Sequence, residues 1–312
     1  MGKLAFLFPG QGAQYVSMGQ QLATKYENSQ KVFDEAKDAL GFDIQKIVFE
    51  GDEETLKITE YTQPAILTAS VACLAPLIEV GIQPDVAAGL SLGEYTAHVS
   101  AGTMLFFDAV KLVRKRGKYM QEAVPVGVGG MAAIIGLSDN DVIECCNRAS
   151  AYGIVEPTNF NCPGQIVIAG EKDAVEKAAA FATDRGAKKA VVLPVSAPFH
   201  CSMLKSAGEK LKKELESVKL YDMKFPVVSN VTGEYTEDMT LIKDLLIRQV
   251  SSTVKWEASI RNMIKNGVDT FVEIGPGKIL SGFLKRIDKN VISYNVEDIE
   301  SLSKTLDGLL SR

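Results

Sequence analysis

Histidine is nearly absent from this sequence: His98 and His200 are the only two among 312 residues. A histidine-rich metal centre is therefore excluded, and any histidine chemistry has two candidates. Cysteine is sparse and unpaired in pattern, since Cys73, Cys145, Cys146, Cys162 and Cys201 are odd in number and contain no CxxC spacing. In a chain of this size that suits a reducing compartment, the cytoplasm, with the thiols buried as small apolar groups. Basic excess is also missing. With 39 acidic against 34 basic residues and a net charge of −5, the chain supplies no general field for a polyanion, so nucleic acid is not expected as a partner. Long apolar runs are lacking as well. Leu4 to Phe8 stops at Pro9, too short for a secretory leader, and Phe6 stands where a myristoylation signal has Ser or Thr. The longest uncharged stretch, Tyr61 to Ile78, is interrupted by Gln63, Pro64, Pro76 and several hydroxyls, so neither a leader nor a membrane span is expected. What remains, 46% hydrophobic and 23% charged, is globular composition with length enough for one large core or two smaller ones.

Lys3 to Phe8 reads as a short buried strand ending at Pro9-Gly10, and Asp85 to Leu90 as a second strand running into a helix. Helical patterns lie between them, one with Pro64 in its first turn and an end near Val80. A further helix is predicted from about Phe107 to Ala123. Val124 to Gly130 is the densest run of proline and glycine and marks a domain boundary. Beyond it the pattern predicts a strand from Met131 to Gly136, a helix over Asp139 to Ser150, strands at Ile154 to Phe160 and Gln165 to Ala169, a helix over Glu171 to Arg185, and a strand at Lys189 to Leu193. This βαββαβ order is the ferredoxin-like signature. After Pro194 the alternation resumes: a helix to about Val218, a strand at Phe225 to Ser229, and helices before and after Trp256. A strand at Thr270 to Ile274, a helix after Gly277, a strand at Val291 to Tyr294 and a last helix complete the chain. The expected fold is thus a large parallel α/β domain, built from 1–124 and 196–312, with a small ferredoxin-like domain inserted at 125–195.

Gly89-Leu90-Ser91-Leu92-Gly93 fits G-x-S-x-G, whose small flanking residues permit a tight strand-to-helix turn that exposes the serine hydroxyl. The pattern is weak alone, but here a predicted strand ends and a helix begins at the places it requires. A serine needs a base. His98 lies seven residues along the following helix, carried about 10 Å away at the helical rise, and reads as structural. His200, in a loop where the chain re-enters the large domain, reads as the base. Arg116 falls on the apolar stripe of its helix, between Val113 and Met120, whereas Lys111, Arg114, Lys115 and Lys118 form a solvated face. A guanidinium turned towards a core requires an anion, and either a protein carboxylate or a bound ligand satisfies that condition. Gly10-Gln11-Gly12-Ala13-Gln14 follows the first strand, at the end of the sheet where α/β ligand sites form, though without a Walker lysine. Asn159, Asn161 and Gln165 flank a turn between small-domain strands, and turn chemistry alone accounts for them equally well. Gly275-Pro276-Gly277 likewise fits an ordinary turn.

Together, Phe8 to Gln14, Gly89 to Tyr95, Arg116-Gly117, Asn159 to Gln165, Ala197-Pro198-Phe199-His200 and Glu273 to Gly277 resemble, in order and over nearly the whole chain, the malonyl-CoA:acyl carrier protein transacylases. That family usually has histidine just before the nucleophile, where this chain has Leu90. The resemblance implies a large α/β-hydrolase-like domain and ping-pong acyl transfer through a malonyl-Ser91 intermediate, with His200 as base. It implies backbone N–H groups of Gln11 and Leu92 as the oxyanion hole, and a backbone carbonyl at Gln249 orienting the histidine. Arg116 would take the malonyl carboxylate, which supplies the anion its position demands. Met120, Asn161 and Gln165 would line the cleft, and Phe199 would crowd out an α-methyl group. The implied partners are malonyl-CoA and acyl carrier protein, with fatty-acid or polyketide synthesis both open. No cofactor is implied, the coenzyme A thioester being substrate.

Two other classes compete. A serine esterase or thioesterase uses the same elbow, but its histidine usually comes late, and here more than 100 residues follow His200. A non-catalytic scaffold leaves the elbow serine and the striped arginine unexplained together. For an acidic carrier, docking requires a local basic patch, for which Lys278, Lys285 and Arg286 on the helix after Gly277 are candidates, with Lys188 and Lys189 next.

Overall fold

The computed structural model describes residues 2–193, 195 and 197–311. Pro194 and Ser196, part of the loop placed before His200, lie outside them. Six strands form the larger sheet: β1 (Lys3–Phe8), β2 (Val86–Gly89), β7 (Val227–Val228), β8 (Tyr235–Thr236), β9 (Val268–Ile274) and β10 (Ile292–Val296). The intervening β3 (Gly129–Ile135), β4 (Val155–Cys162), β5 (Gln165–Glu171) and β6 (Lys189–Val192) form a second sheet. In the larger sheet the order is β10-β9-β1-β2-β7-β8, parallel except for the last pairing. The antiparallel β7–β8 hairpin departs from the all-parallel expectation. Its two-residue strands are too short to carry a hydrophobic period.

Alternation along β1 sends Ala5 and Leu7 to one face and Phe6 and Phe8 to the other, and both faces are buried. Ala5, Leu7, Val86 and Ala88 pack with Trp256, Ile260, Met263 and Leu284. Phe6, Phe8, Ala87 and Val272 pack with Leu22, Leu74, Leu77 and Leu302 on the opposite side. A central strand covered by helices on both faces has no polar face to show, which is why β1 reads as a continuous apolar run.

The helix Thr59–Glu79 begins earlier than expected, with Pro64 beyond its first turn, and contains both Pro64 and Pro76. Pro64 therefore lies inside the helix, where it forfeits a backbone bond. Tertiary burial holds the additional turn: Thr59, Thr62 and Gln63 are fully buried, and Thr62 Oγ1 donates to the Ile58 carbonyl at 3.0 Å. By length and composition this helix is apolar enough to cross a membrane, contrary to the sequence expectation, but 78% of its most apolar window is buried within the fold. Its apolar surface is the core of this molecule.

The second sheet has the order β4-β5-β3-β6, all pairs antiparallel, with the helices Asp139–Ala149 and Lys172–Asp184 on one face. Chain order and sheet order together give the ferredoxin-like arrangement, and the whole is an α/β fold with a parallel sheet and an inserted βαββαβ unit. Gly129 and Gly130 are already strand residues, so the proline- and glycine-rich run is partly structured. Backbone bonds fix this unit against the larger one: Val254 N donates to the Thr158 carbonyl at 2.8 Å and Phe160 N to the Val254 carbonyl at 3.0 Å. The fixed approach leaves a cleft above the carboxyl ends of β1 and β2, the usual ligand position in parallel sheets.

Candidate active site

Register decides what faces that cleft. Phe8 lies opposite Gly89, so the loop Pro9 to Gln14 and the turn Leu90-Ser91 leave the sheet side by side. A Cβ on Gly89 would collide with the Gly93 backbone, one on Gly93 with the Phe8 carbonyl, and one on Gly10 with the Leu90 carbonyl. Gly89 and Gly93 thus let the strand turn into the helix Leu92–Ser100 without clash. Ser91 sits at the bend with φ 53° and ψ −104°, a conformation that costs about 1–3 kcal/mol and is held by its surroundings. Asn230 supplies part of that hold, since Ser91 N–H donates to its Oδ1 at 2.6 Å and its Nδ2 donates to the Gly89 carbonyl at 2.8 Å.

Ser91 Oγ lies 2.7 Å from His200 Nε2, and His200 Nδ1 lies 2.8 Å from the Gln249 backbone carbonyl. A carbonyl only accepts, so Nδ1 carries the proton and Nε2 is free to take one from the serine. Burial and the nearby Arg116 charge depress the His200 pKa to about 3, with the Gln249 bond opposing the shift. The imidazole is therefore neutral at physiological pH, the state a general base requires. Like Ser91, His200 has a left-handed backbone, φ 69°. His98 is remote from this pair, buried and depressed to about 4 by desolvation, as a structural histidine should be.

Arg116 is 1% exposed and reaches the same point. Its Nη2 donates to Ser91 Oγ at 3.1 Å and to Gln249 Oε1 at 2.9 Å, and its Nη1 to Gln63 Oε1 at 2.8 Å. Among the described residues it forms no ion pair with a carboxylate, and its Nε is buried without a hydrogen-bond partner. The guanidinium is thus held by neutral oxygens at the wall of a cavity of about 710 Å³. The remaining lining includes Gln11, Leu92, Met120, Asn161 and Phe199. Leu92 opens its helix, so its N–H has no intrahelical acceptor and belongs to the set free to bind an oxyanion. Asn161 Oδ1 is buried and unpartnered.

Gln165 departs from expectation. It shares the cleft face of β5 with Val167 but lies two residues, about 7 Å, further from the centre. There its Oε1 accepts from Arg286 Nη1 at 2.6 Å, while Arg286 Nη2 donates to the Pro163 carbonyl at 2.7 Å. Arg286 is accordingly a tie between the two units, and Lys278 pairs with Glu297 at 3.2 Å, which leaves Lys285 as the member of that trio with neither an ion pair nor a side-chain hydrogen bond among the described residues. Glu273, beside the Gly275 turn, accepts from Leu280 and Ser281 N–H groups and so caps the helix Ile279–Ile287 that walls the cavity. Three site residues escaped sequence reasoning: Glu94, Asn230 and Gln63. Glu94 carries a legible signal as the one acid on the apolar helix Leu92–Ser100, whereas Asn230 and Gln63 carry none.

A sequence profile described as the acyl transferase domain matches residues 5–304. This chain belongs to the acyl transferase domain family. Among its relatives is the malonyl CoA-acyl carrier protein transacylase of Bacillus subtilis, 45% identical over 310 residues, covering 99% of this chain and 98% of the relative. The crystal structure of malonyl CoA-acyl carrier protein transacylase from Clostridium perfringens superposes with a TM-score of 0.96 at 50% identity, covering 99% and 98% of the two chains. A malonyl-transacylase in complex with its type II PKS acyl-carrier protein gives 0.96 at 43% identity, covering 98% and 99%. In this acyl transferase the serine, histidine and arginine converge from three separate stretches of sequence on one cavity wall.

Proposed function

We propose that this acyl transferase moves a malonyl group from malonyl-CoA to the phosphopantetheine thiol of an acyl carrier protein, supplying extender units for fatty-acid synthesis. The observation that carries this reading is Arg116: a buried cation, without a carboxylate partner among the described residues, 3.1 Å from the Ser91 hydroxyl. A substrate acyl group that itself ends in a carboxylate completes that site, and a bidentate pair fixes its orientation.

Ser91 Oγ attacks the thioester carbon as its proton passes to His200 Nε2. The N–H groups of Gln11 and Leu92 receive the oxyanion. The C–S bond then breaks, His200 returns the proton to the departing thiolate, and coenzyme A leaves malonyl-Ser91 behind. The carrier thiol gives its proton to His200, attacks the ester, and departs with the malonyl group as Ser91 recovers its proton. This chemistry draws on no cofactor. The acyl chain is gripped between the unit formed by 1–124 and 196–312 and the unit 125–195. Phe199 beside the base limits space at the α-carbon, so Phe199→Ser should raise methylmalonyl relative to malonyl transfer, read as the ratio of their kcat/KM values. The five thiols are all free and buried, which supports a cytoplasmic setting. The likeness to a malonyl-transacylase in complex with its type II PKS acyl-carrier protein favours a polyketide carrier as the second reading.

Intact mass spectrometry after malonyl-CoA treatment tests the reading: one malonyl adduct is expected, mapping to Ser91, and release of coenzyme A should continue only when carrier thiol is added. An adduct on Cys162 or Cys201, or steady release without carrier, is incompatible with it. The pH profile is a second check. Because the base is active when neutral and its pKa lies near 3, Ser91 acylation should stay level as pH falls through 6.5, where an ordinary histidine would lose activity. Pre-steady-state acylation between pH 5 and 8 measures this directly, and an acid limb at about 6.5 would contradict the buried neutral imidazole.

A further inference from the structure

We propose that Glu94 is a positioning residue, its carboxylate holding the Gln249 amide in the one orientation that offers Arg116 an acceptor. The assignment deepens the malonyl-transfer reading and rests on it. Gln249 is fully buried, and its two amide ends are both in use. Nε2 donates to the Ser91 carbonyl at 3.0 Å and to Glu94 Oε2 at 2.5 Å, while Oε1 accepts from Arg116 Nη2 at 2.9 Å. Turning the amide over would set its NH₂ against the guanidinium, donor to donor, and its oxygen against a carboxylate and a carbonyl, acceptor to acceptor. Glu94 contributes more to that preference because its bond to Nε2 is the shorter of the two and a carboxylate is the stronger acceptor. Glu94 is itself fixed, 1% exposed, with its Oε2 also accepting from Asn230 N–H at 3.1 Å. Burial of both Gln249 and Glu94 makes a missing partner between them costly.

The same residue, Gln249, presents its backbone carbonyl to His200. That carbonyl belongs to the main chain and does not depend on how the amide is turned, so Glu94 acts through the amide on the carboxylate-binding cation alone, and does so without touching substrate. What the bond requires is an acceptor at a given distance, which an amide oxygen supplies as well as a carboxylate does. Glu94→Gln keeps the acceptor and the reach. Glu94→Asp keeps the charge but withdraws the oxygen by one methylene.

The test compares Glu94→Gln, Glu94→Asp and Gln249→Met in the full-length protein, measuring kcat/KM for malonyl-CoA and acetyl-CoA. Glu94→Gln should keep the malonyl value within about threefold, whereas Glu94→Asp should lose about tenfold or more with malonyl-CoA and little with acetyl-CoA. Adding Glu94→Asp to Gln249→Met should produce no further loss, because the two act through one bond. Equal losses for both substrates in Glu94→Asp, or additive losses in the double variant, would overturn the assignment. If Glu94→Asp does not fold, Glu94→Met, which keeps the reach and removes the acceptor, takes its place with the same expected selective loss of malonyl transfer, and unaltered preference in it overturns the assignment. The unsubstituted enzyme separates the two levels. Failure of its malonyl adduct at Ser91 refutes the acyl-transfer reading and this assignment together, and a normal adduct with unaltered preference in Glu94→Asp refutes only the assignment.

Discussion

Ser91→Ala is expected to lower malonyl transfer by about ten-thousandfold or more, and His200→Ala by a similar factor, while the double variant is no worse than either alone. The reason lies in the shared proton. At 2.7 Å, Ser91 Oγ and His200 Nε2 act as one unit, so that removing either leaves a cavity still able to bind substrate but without an activated oxygen. Neither change should unfold the protein. Ser91 is only partly buried and its hydroxyl contributes to no core cluster, and loss of the serine side chain leaves the Asn230 bonds to the turn, which engage backbone atoms, in place. Carrier-dependent release of coenzyme A, measured beside a thermal melt, distinguishes lost chemistry from lost structure. Activity within tenfold of the parent in Ser91→Ala would mean that another nucleophile carries the acyl group.

The elbow was legible in the sequence because its constraint is local: Gly89 and Gly93 are required by clashes within a few residues of Ser91, and such requirements leave a short pattern. The histidine was legible for a different reason, its rarity. With His98 carried away along its own helix, His200 was left by elimination. Arg116 was half legible. The apolar stripe marked it as buried, but a stripe does not say whether a carboxylate, an amide or a ligand meets the charge, and the answer, Gln63 and Gln249, comes from helices 53 and 133 residues away. Asn230 and Gln63 were not legible at all, since a buried amide has no period and its partners are set by tertiary packing. Gln165 shows the reverse failure. Its place near the motif and on the correct face of β5 pointed to the cleft, and only the distance along the strand and the reach of Arg286 take it away. The fold followed the same rule, with β1, buried on both faces, placed to the residue, whereas the two-residue strands of the β7–β8 hairpin were blurred or absent.

Arg116→Ala should separate recognition from chemistry. Removing one member of a buried charged pair costs about 3–5 kcal/mol, which corresponds to a loss of a hundredfold to a few thousandfold in kcat/KM for malonyl-CoA. Acetyl-CoA carries no carboxylate and should be affected far less, so the ratio of the two rates should shift towards acetyl by at least about a hundredfold. A complication is built into the geometry, because Nη2 also donates to Ser91 Oγ and Gln249 Oε1 and its loss therefore relaxes the nucleophile itself. That effect is common to both substrates and cancels in the ratio. Arg116→Lys is the informative companion: it restores positive charge but not the planar fork that spans Gln63 on one branch and Ser91 with Gln249 on the other. If charge alone selected malonyl-CoA, the lysine variant would recover the preference; if the fork does, it should recover only a minor part. Burst amplitudes with each thioester, followed by mass spectrometry of the acyl-enzyme, report the selectivity at the first half-reaction, before the carrier protein enters. Losses of equal size for malonyl-CoA and acetyl-CoA in Arg116→Ala would assign the guanidinium to holding the elbow rather than to choosing the substrate.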